Sequence, residues 1–243
     1  MRPLTSPSAL ILTRIAAAML VVSALSAGVL TATGDAKRGE ANTAGQLGNR
    51  STNLSKVPVT VSGLTADVAS IKETQRYTCV VTATRGAKCW GPNFYGQLGY
   101  NGSDSNVPGD VVGLTSGVGS LSGGTGHSCA LTTSGRVACW DSNGAGQLGD
   151  GNATALKTPV AVFGSTSGVT RLTTGTGHTC ALTTSKGVKC WDLNADGQLG
   201  NNSKANSSVP VDVLSLTAGV ALITAGGTHS CAVTSQGPTC WGV

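Results

Sequence analysis

Apolar and polar residues alternate along this chain in short runs, and the runs recur. Residues 127–133 (His-Ser-Cys-Ala-Leu-Thr-Thr) alternate, break at Ser134-Gly135, and resume as Arg-Val-Ala-Cys-Trp through Trp140. Runs of this length bounded by Gly, Pro, Asn and Ser clusters predict strands, and the turn between them predicts an antiparallel hairpin. A short apolar segment precedes each such hairpin, at residues 68–71, 118–121, 169–172 and 220–223. Before it comes an alternating stretch opened by Pro58, Pro108, Pro159 or Pro210. The pattern therefore predicts four strands per unit.

The unit has a period of about 51 residues, because Gly-Gln-Leu-Gly begins at Gly45, Gly96, Gly146 and Gly197. All eight cysteines and all four tryptophans keep the same beat. A period this long marks a tandem array of one supersecondary unit, and four strands per unit is the blade pattern of a β-propeller. The predicted fold is all-β: a propeller of four blades over residues 42–243, with residues 1–41 outside the repeat.

The hairpins account for the cysteines. With the turn centred on Ser134, Cys129 falls opposite Cys139, Ala130 opposite Ala138 and Leu131 opposite Val137. Directly opposed residues on antiparallel strands lie at a separation that a disulfide spans. Eight cysteines allow 105 pairings in principle. The period selects Cys79–Cys89, Cys129–Cys139, Cys180–Cys190 and Cys231–Cys240, with each blade bridged to itself. The last pair is one residue closer and predicts a tighter turn near Gln236-Gly237. Alternation also puts Trp140 on the face opposite the cysteines, beside the small Ala130 and Ala138. Such a ring over a small floor suits packing between neighbouring blades.

The phrase at residues 178–184 (His-Thr-Cys-Ala-Leu-Thr-Thr), then Val-Lys-Cys-Trp at 188–191, Asn194 and Gly-Gln-Leu-Gly at 197–200 resembles the repeat of the regulator of chromosome condensation family. The likeness is greatest to the cysteine-bearing variety of exported microbial proteins, and it covers about residues 42–243. It implies a propeller, usually of seven blades, that binds other proteins through its faces and loops. Function varies widely on such a scaffold. Three departures stand out: Asp141 and Asp192 follow tryptophan where glycine is usual, Gln75-Arg76-Tyr77 replaces Thr-Gly-His in the first copy, and there are four copies rather than seven. The residues following Trp241 read without a gap into Asn42-Thr43-Ala44-Gly45, as Trp90 reads into Gly96, so the array holds a whole number of units. Blade surfaces rich in Ala, Gly, Ser and Thr favour narrow wedges, hence an open arc of a larger ring, completed by self-association. A closed four-bladed ring is the alternative.

Composition adds a compartment. Arg2 and Arg14 lead into an uncharged stretch from about residue 15 to 33, with small residues at 24–27. This fits a secretory signal peptide; an uncleaved anchor is the alternative, and the only route to a membrane that the sequence suggests. Paired cysteines point the same way, to an oxidising compartment, and predict a secreted or cell-envelope protein. Charged residues make up 11% of the chain, with a net charge of +5, too little and too scattered for a nucleic-acid-binding stripe.

Candidate chemistry is sparse. His127, His178 and His229 each stand two residues before a cysteine. Each could complete a zinc-like His-Cys-Cys cluster, but the first copy has Tyr77 there and no fourth ligand recurs. Disulfides beside structural histidines are the expectation, with no metal or other cofactor. Residues 192–197 resemble the start of a calcium loop, but Ser203 stands where the twelfth-position Glu is required. Asn49, Asn53, Asn101, Asn152, Asn201 and Asn206 head Asn-x-Ser/Thr triplets, as loops rich in Asn and Ser produce by composition. Neither a nucleophile elbow nor an acidic pair is visible.

The sequence thus predicts a non-enzymatic, exported scaffold that contacts an unidentified protein or cell-surface ligand. The contact falls on the loops at residues 49–56, 100–107, 150–158 and 201–209, which differ between copies. The alternatives are a nucleotide-exchange factor for a small GTPase, as the family's namesake implies, and an exported hydrolase or lyase.

Overall fold

A computed structural model describes residues 42–64, 68–74, 76–165 and 167–243. The candidate signal peptide or anchor and Gln75 lie outside the described residues. Among those described, no helix is long and apolar enough to cross a membrane.

Four antiparallel sheets follow one another along the chain. The first contains β1 (Val68–Glu73), β2 (Thr78–Thr82), β3 (Ala87–Gly91) and β4 (Ser105–Asp110). The second contains β5 (Val118–Gly123), β6 (His127–Thr132), β7 (Val137–Asp141) and β8 (Leu156–Ala161). The third contains β9 (Val169–Thr174), β10 (His178–Thr183), β11 (Val188–Asp192) and β12 (Ser207–Asp212). The fourth has three strands, β13 (Val220–Ala225), β14 (His229–Thr234) and β15 (Gly237–Gly242). Within each sheet the strands lie side by side in chain order, and β1, β5, β9 and β13 each contact the next across the array.

The sheets do not coincide with the sequence units. Each sheet begins at the short apolar segment and ends with the Pro-containing stretch of the following unit, so Gly-Gln-Leu-Gly lies in the connection between third and fourth strands. Pro108, Pro159 and Pro210 stand inside β4, β8 and β12 instead of opening them. Proline is tolerated there because these are outer strands, whose far side needs no ladder donor. In the first copy the expected strand at 58–61 does not form. Val61 is nevertheless buried with Val80 and Trp90.

The hairpin register is the one read from the sequence: Cys129 pairs with Cys139, Ala130 with Ala138 and Leu131 with Val137. The sulfur atoms of the four opposed pairs are bonded, and Cα separations are 4.0–4.1 Å. Closing a short loop in this way stabilises a blade by on the order of 2–3 kcal/mol. In the last blade Thr234 pairs directly with Gly237, leaving a two-residue turn.

The cores lie between blades. Cys79, Val81, Cys89, Leu98 and Val111 of the first blade and its outer connection bury with Ala130 and Trp140 of the second. Cys129, Leu131, Cys139 and Leu148 bury with Ala181 and Trp191 of the third. Cys180, Leu182, Cys190 and Leu199 bury with Ala232 of the fourth, with Trp241 against them. The cysteine face of one blade therefore meets the tryptophan face of the next. The sheets form an open arc. His229, Val233 and Cys240 on the last blade's cysteine face are exposed, whereas the closed four-bladed alternative would cover them.

Candidate functional site

The loop-bearing rim is built on Gly-Gln-Leu-Gly. Its first glycine has φ of 80°, 102°, 93° and 77° in the four copies, a left-handed conformation that only glycine adopts without strain. The glutamine side-chain oxygen accepts the amide two residues back, from Ala44, Tyr95, Ala145 and Asp196. The glutamine main-chain oxygen accepts the indole N–H of the next blade's tryptophan: Trp90 to Gln46, Trp140 to Gln97, Trp191 to Gln147 and Trp241 to Gln198, at 2.8–3.1 Å. Leu98, Leu148 and Leu199 are fully buried. At the last glycine a Cβ would collide with the same indole, 2.6 Å from its nitrogen at Gly48 and 2.8 Å at Gly149. The phrase is thus the hinge pin that seats each blade on its predecessor.

A buried asparagine three residues before the phrase holds each polar loop. Asn93 Nδ2 donates to the carbonyls of Tyr100 and Gly102, and its Oδ1 accepts the Leu98 amide. Asn143 donates to Asp150 Oδ1 and to the carbonyls of Asn152 and Thr154. Asn194 donates to Asn201 Oδ1 and to the carbonyls of Ser203 and Ala205. Asn42 does the same at Ser51 and Asn53. These contacts read main chain for the most part, so the loop path repeats while its side chains change. Residues 101–104, 151–155 and 202–206 are exposed. The candidate calcium loop is part of this frame: Asn194 caps the loop and Asp192 is buried. Of the triplet asparagines, Asn53, Asn101, Asn152 and Asn206 are exposed and Asn49 and Asn201 are half-buried.

Sequence reasoning missed an aromatic pair on this rim. Phe94 and Tyr95 follow Asn93, are 76% and 51% exposed, and stack edge to face with centroids 4.8 Å apart. The other copies have small or charged residues there (Thr43-Ala44, Gly144-Ala145, Ala195-Asp196). That irregularity within an otherwise regular phrase was the signal available in the sequence.

The histidines perform a different task from the cluster considered above. All three occupy one position in their blades, shared by Tyr77, and from it Tyr77, His127 and His178 reach the next blade. Tyr77 Oη pairs with Ser128 Oγ, His127 Nε2 lies 2.7 Å from Thr179 Oγ1, and His178 Nε2 lies 2.7 Å from Ser230 Oγ. Burial, and then the neighbouring His178, pushes the His127 pKa down to about 4; burial, and then His229, does the same to His178. Both rings are therefore neutral near pH 7. Across the hairpin, His127 pairs with Asp141 and His178 with Asp192. These aspartates have φ of 96° and 91° and buried carboxylates that make no well-formed hydrogen bond. Burial raises Asp141 to about 7, against the pull of the nearby Ser142 amide and hydroxyl, and raises Asp192 to about 8, against the Leu193 amide.

Residues 190–233 match the family described as Regulator of chromosome condensation (RCC1) repeat. No curated protein sequence matches the chain. Among solved structures it is similar to human WBSCR16 (TM-score 0.73, 24% identity, 83% of this chain and 54% of that one). It is also similar to yeast RCC1 (Prp20) bound to Kap60 (TM-score 0.68, 18% identity, 81% and 48%). A third is Prp20p from Saccharomyces cerevisiae, in a study of its binding to Gsp1p and histones (TM-score 0.66, 18% identity, 77% and 48%). The chain spans about half the length of each.

Proposed function

We propose that this chain of RCC1-type repeats is an exported, non-enzymatic scaffold that binds a protein or cell-surface ligand through its loop rim. The observation that carries the reading is the contrast within each unit. The asparagine pin, Gly-Gln-Leu-Gly and the bridged hairpin are constant, while the exposed loops at 100–107, 150–158 and 201–209 differ. A fixed frame presenting variable side chains loses little entropy on binding. Phe94 and Tyr95 supply the kind of large, exposed anchor that concentrates binding energy. Disulfides in every blade support export, because such bridges persist outside the reducing cell interior. The similar yeast protein binds Kap60 and is studied with Gsp1p and histones, which is consistent with protein recognition on this fold.

The test is a pull-down from the exported fraction with the native chain, with a Phe94→Ala/Tyr95→Ala variant, and with a chain whose 150–158 loop is replaced by 201–209. Partners captured by the native chain and lost from the variants are expected. Capture that is indifferent to both changes rules out the rim.

A further inference from the structure

Residues 112–140 and 163–191 form the inner strand and hairpin of the second and third blades. They contain no aspartate or glutamate, whereas Arg136, Arg171, Lys186 and Lys189 fall within them. Lys189 is paired with Asp212. Arg171 is exposed in β9, and among the described residues its side chain has neither a hydrogen bond nor an ion pair. The repeat does not call for a cation there. The same position holds Ser70 in β1, Ser120 in β5 and Leu222 in β13, opposite Val81, Leu131 and Val233, as Arg171 is opposite Leu182.

Arg171 lines an open cavity of about 820 Å³ between β5 and β9, with Ile223 of β13 also in its wall. The two inner strands are tied at both ends. At one end the Thr125 amide donates to Thr176 O at 3.1 Å, and Ser122 Oγ lies 2.9 Å from Thr174 Oγ1. At the other the Val169 amide donates to Gly135 O at 3.1 Å. Between the ties the strands part. Leu131, Leu172 and Ile223 give the cavity apolar surface, and Ser120 and Thr184 give it hydroxyls that bond to no other described side chain or carbonyl. Arg171 is its one charged lining residue. The volume falls within the ~300–1,000 Å³ of small-molecule sites. The cavity reaches Ser134-Gly135 at the turn of the second hairpin, whereas the loop rim begins beyond Asp141 at the hairpin's other end, so the two surfaces are separate.

We infer that this cavity binds a small anionic sugar, with Arg171 on its acid group and Ser120 and Thr184 on its hydroxyls. A guanidinium fork matches the oxygens of a carboxylate or a phosphate, and no carboxylate in either stretch opposes the incoming charge. One cation answers one acid group. The rest of the ligand meets hydroxyls, which both donate and accept as a sugar hydroxyl does, and aliphatic side chains that suit the C–H face of a sugar ring. A site of this kind works independently of the rim.

The test is calorimetric titration of the full disulfide-bonded chain with glucuronate, glucose-6-phosphate, glucose and inorganic phosphate. At least one of the two acidic sugars should bind about tenfold or more tightly than glucose, which lacks the charge-assisted bond, and the one that does identifies the acid group. Arg171→Gln, at an exposed position, should abolish that preference and leave glucose unchanged. Ser120→Leu crowds the cavity with the side chain that the fourth blade already carries as Leu222, and should weaken the acidic sugar about tenfold with Arg171 intact. Replacing the 150–158 loop by 201–209 should leave sugar binding unchanged, which separates this site from the rim. Acidic sugars that bind no better than glucose, a preference that survives Arg171→Gln, or binding indifferent to Ser120→Leu overturns the inference. Inorganic phosphate bound as tightly as the acidic sugars also overturns it, because the site then takes an ion and not a sugar.

Discussion

The Nε2 atom of His178 sits 2.7 Å from the hydroxyl oxygen of Ser230, one blade further along the chain. The same reach joins His127 to Thr179, and Tyr77 makes it to Ser128. One side chain per blade thus fixes the angle to its neighbour, in a dry interface where an unmade bond is costly.

Removing the hook should uncouple the blades. His178→Ala is expected to destabilise the chain by about 2–4 kcal/mol, from the lost bond and the cavity together, and Tyr77→Phe by about 1 kcal/mol. His229→Ala, at an exposed position, should stay within about 0.5 kcal/mol, as at an ordinary surface position. Urea unfolding of the three variants checks the order.

Stability should fall on the alkaline side of neutrality. The histidines have lowered folded pKa values, so their contribution is lost as pH falls from about 6.5, the unfolded value, towards about 4. The aspartates have raised values, so theirs is complete below about 3.9 and is lost as pH rises through about 7 and about 8. The two trends oppose each other below about 6.5, and above it the aspartates alone remain. Asp141→Gly and Asp192→Gly should flatten the decline and stabilise the chain at pH 8 by about 1 kcal/mol or more each, since glycine also relieves the left-handed backbone. The first and last blades already have Gly91 and Gly242 there, with φ of 118° and 93°. Thermal melts from pH 5 to pH 9 measure both effects.

The phrase glycines should resist change. Gly149→Ala places a methyl group 2.8 Å from Trp191 Nε1 at a φ of 64°, and a loss of about 2 kcal/mol or more is expected. Gly164→Ala, also left-handed but with open space around it, should cost only the backbone part, about 1 kcal/mol. Denaturant midpoints of the pair separate crowding from conformation.

What could be read in the sequence was what local geometry decides. Opposition of Cys129 and Cys139 follows from counting outward from one turn, and burial of Trp140 from its alternation with Ala138. What could not be read depends on the neighbouring blade. Nothing near His127 reveals that its partner is Thr179, 52 residues away, and the spacing of Pro108 does not say which sheet β4 joins. The loops could be placed as variable, but the asparagine frame beneath them emerges only when Asn93 is seen reaching the Tyr100 and Gly102 carbonyls. Phe94 and Tyr95 stand where the repeat is broken, so the recurring pattern does not contain them.

The molecule is a frame of blades, each bridged to itself and stiff enough to hold its rim in place. Peptide mapping of the native chain without reduction, read by mass spectrometry, tests it most directly. Four linkages are predicted: Cys79–Cys89, Cys129–Cys139, Cys180–Cys190 and Cys231–Cys240, the last being the first to open under mild reductant because Cys240 is exposed and the other bridges are buried. Linkages between blades, or free thiols in the native protein, would contradict the account.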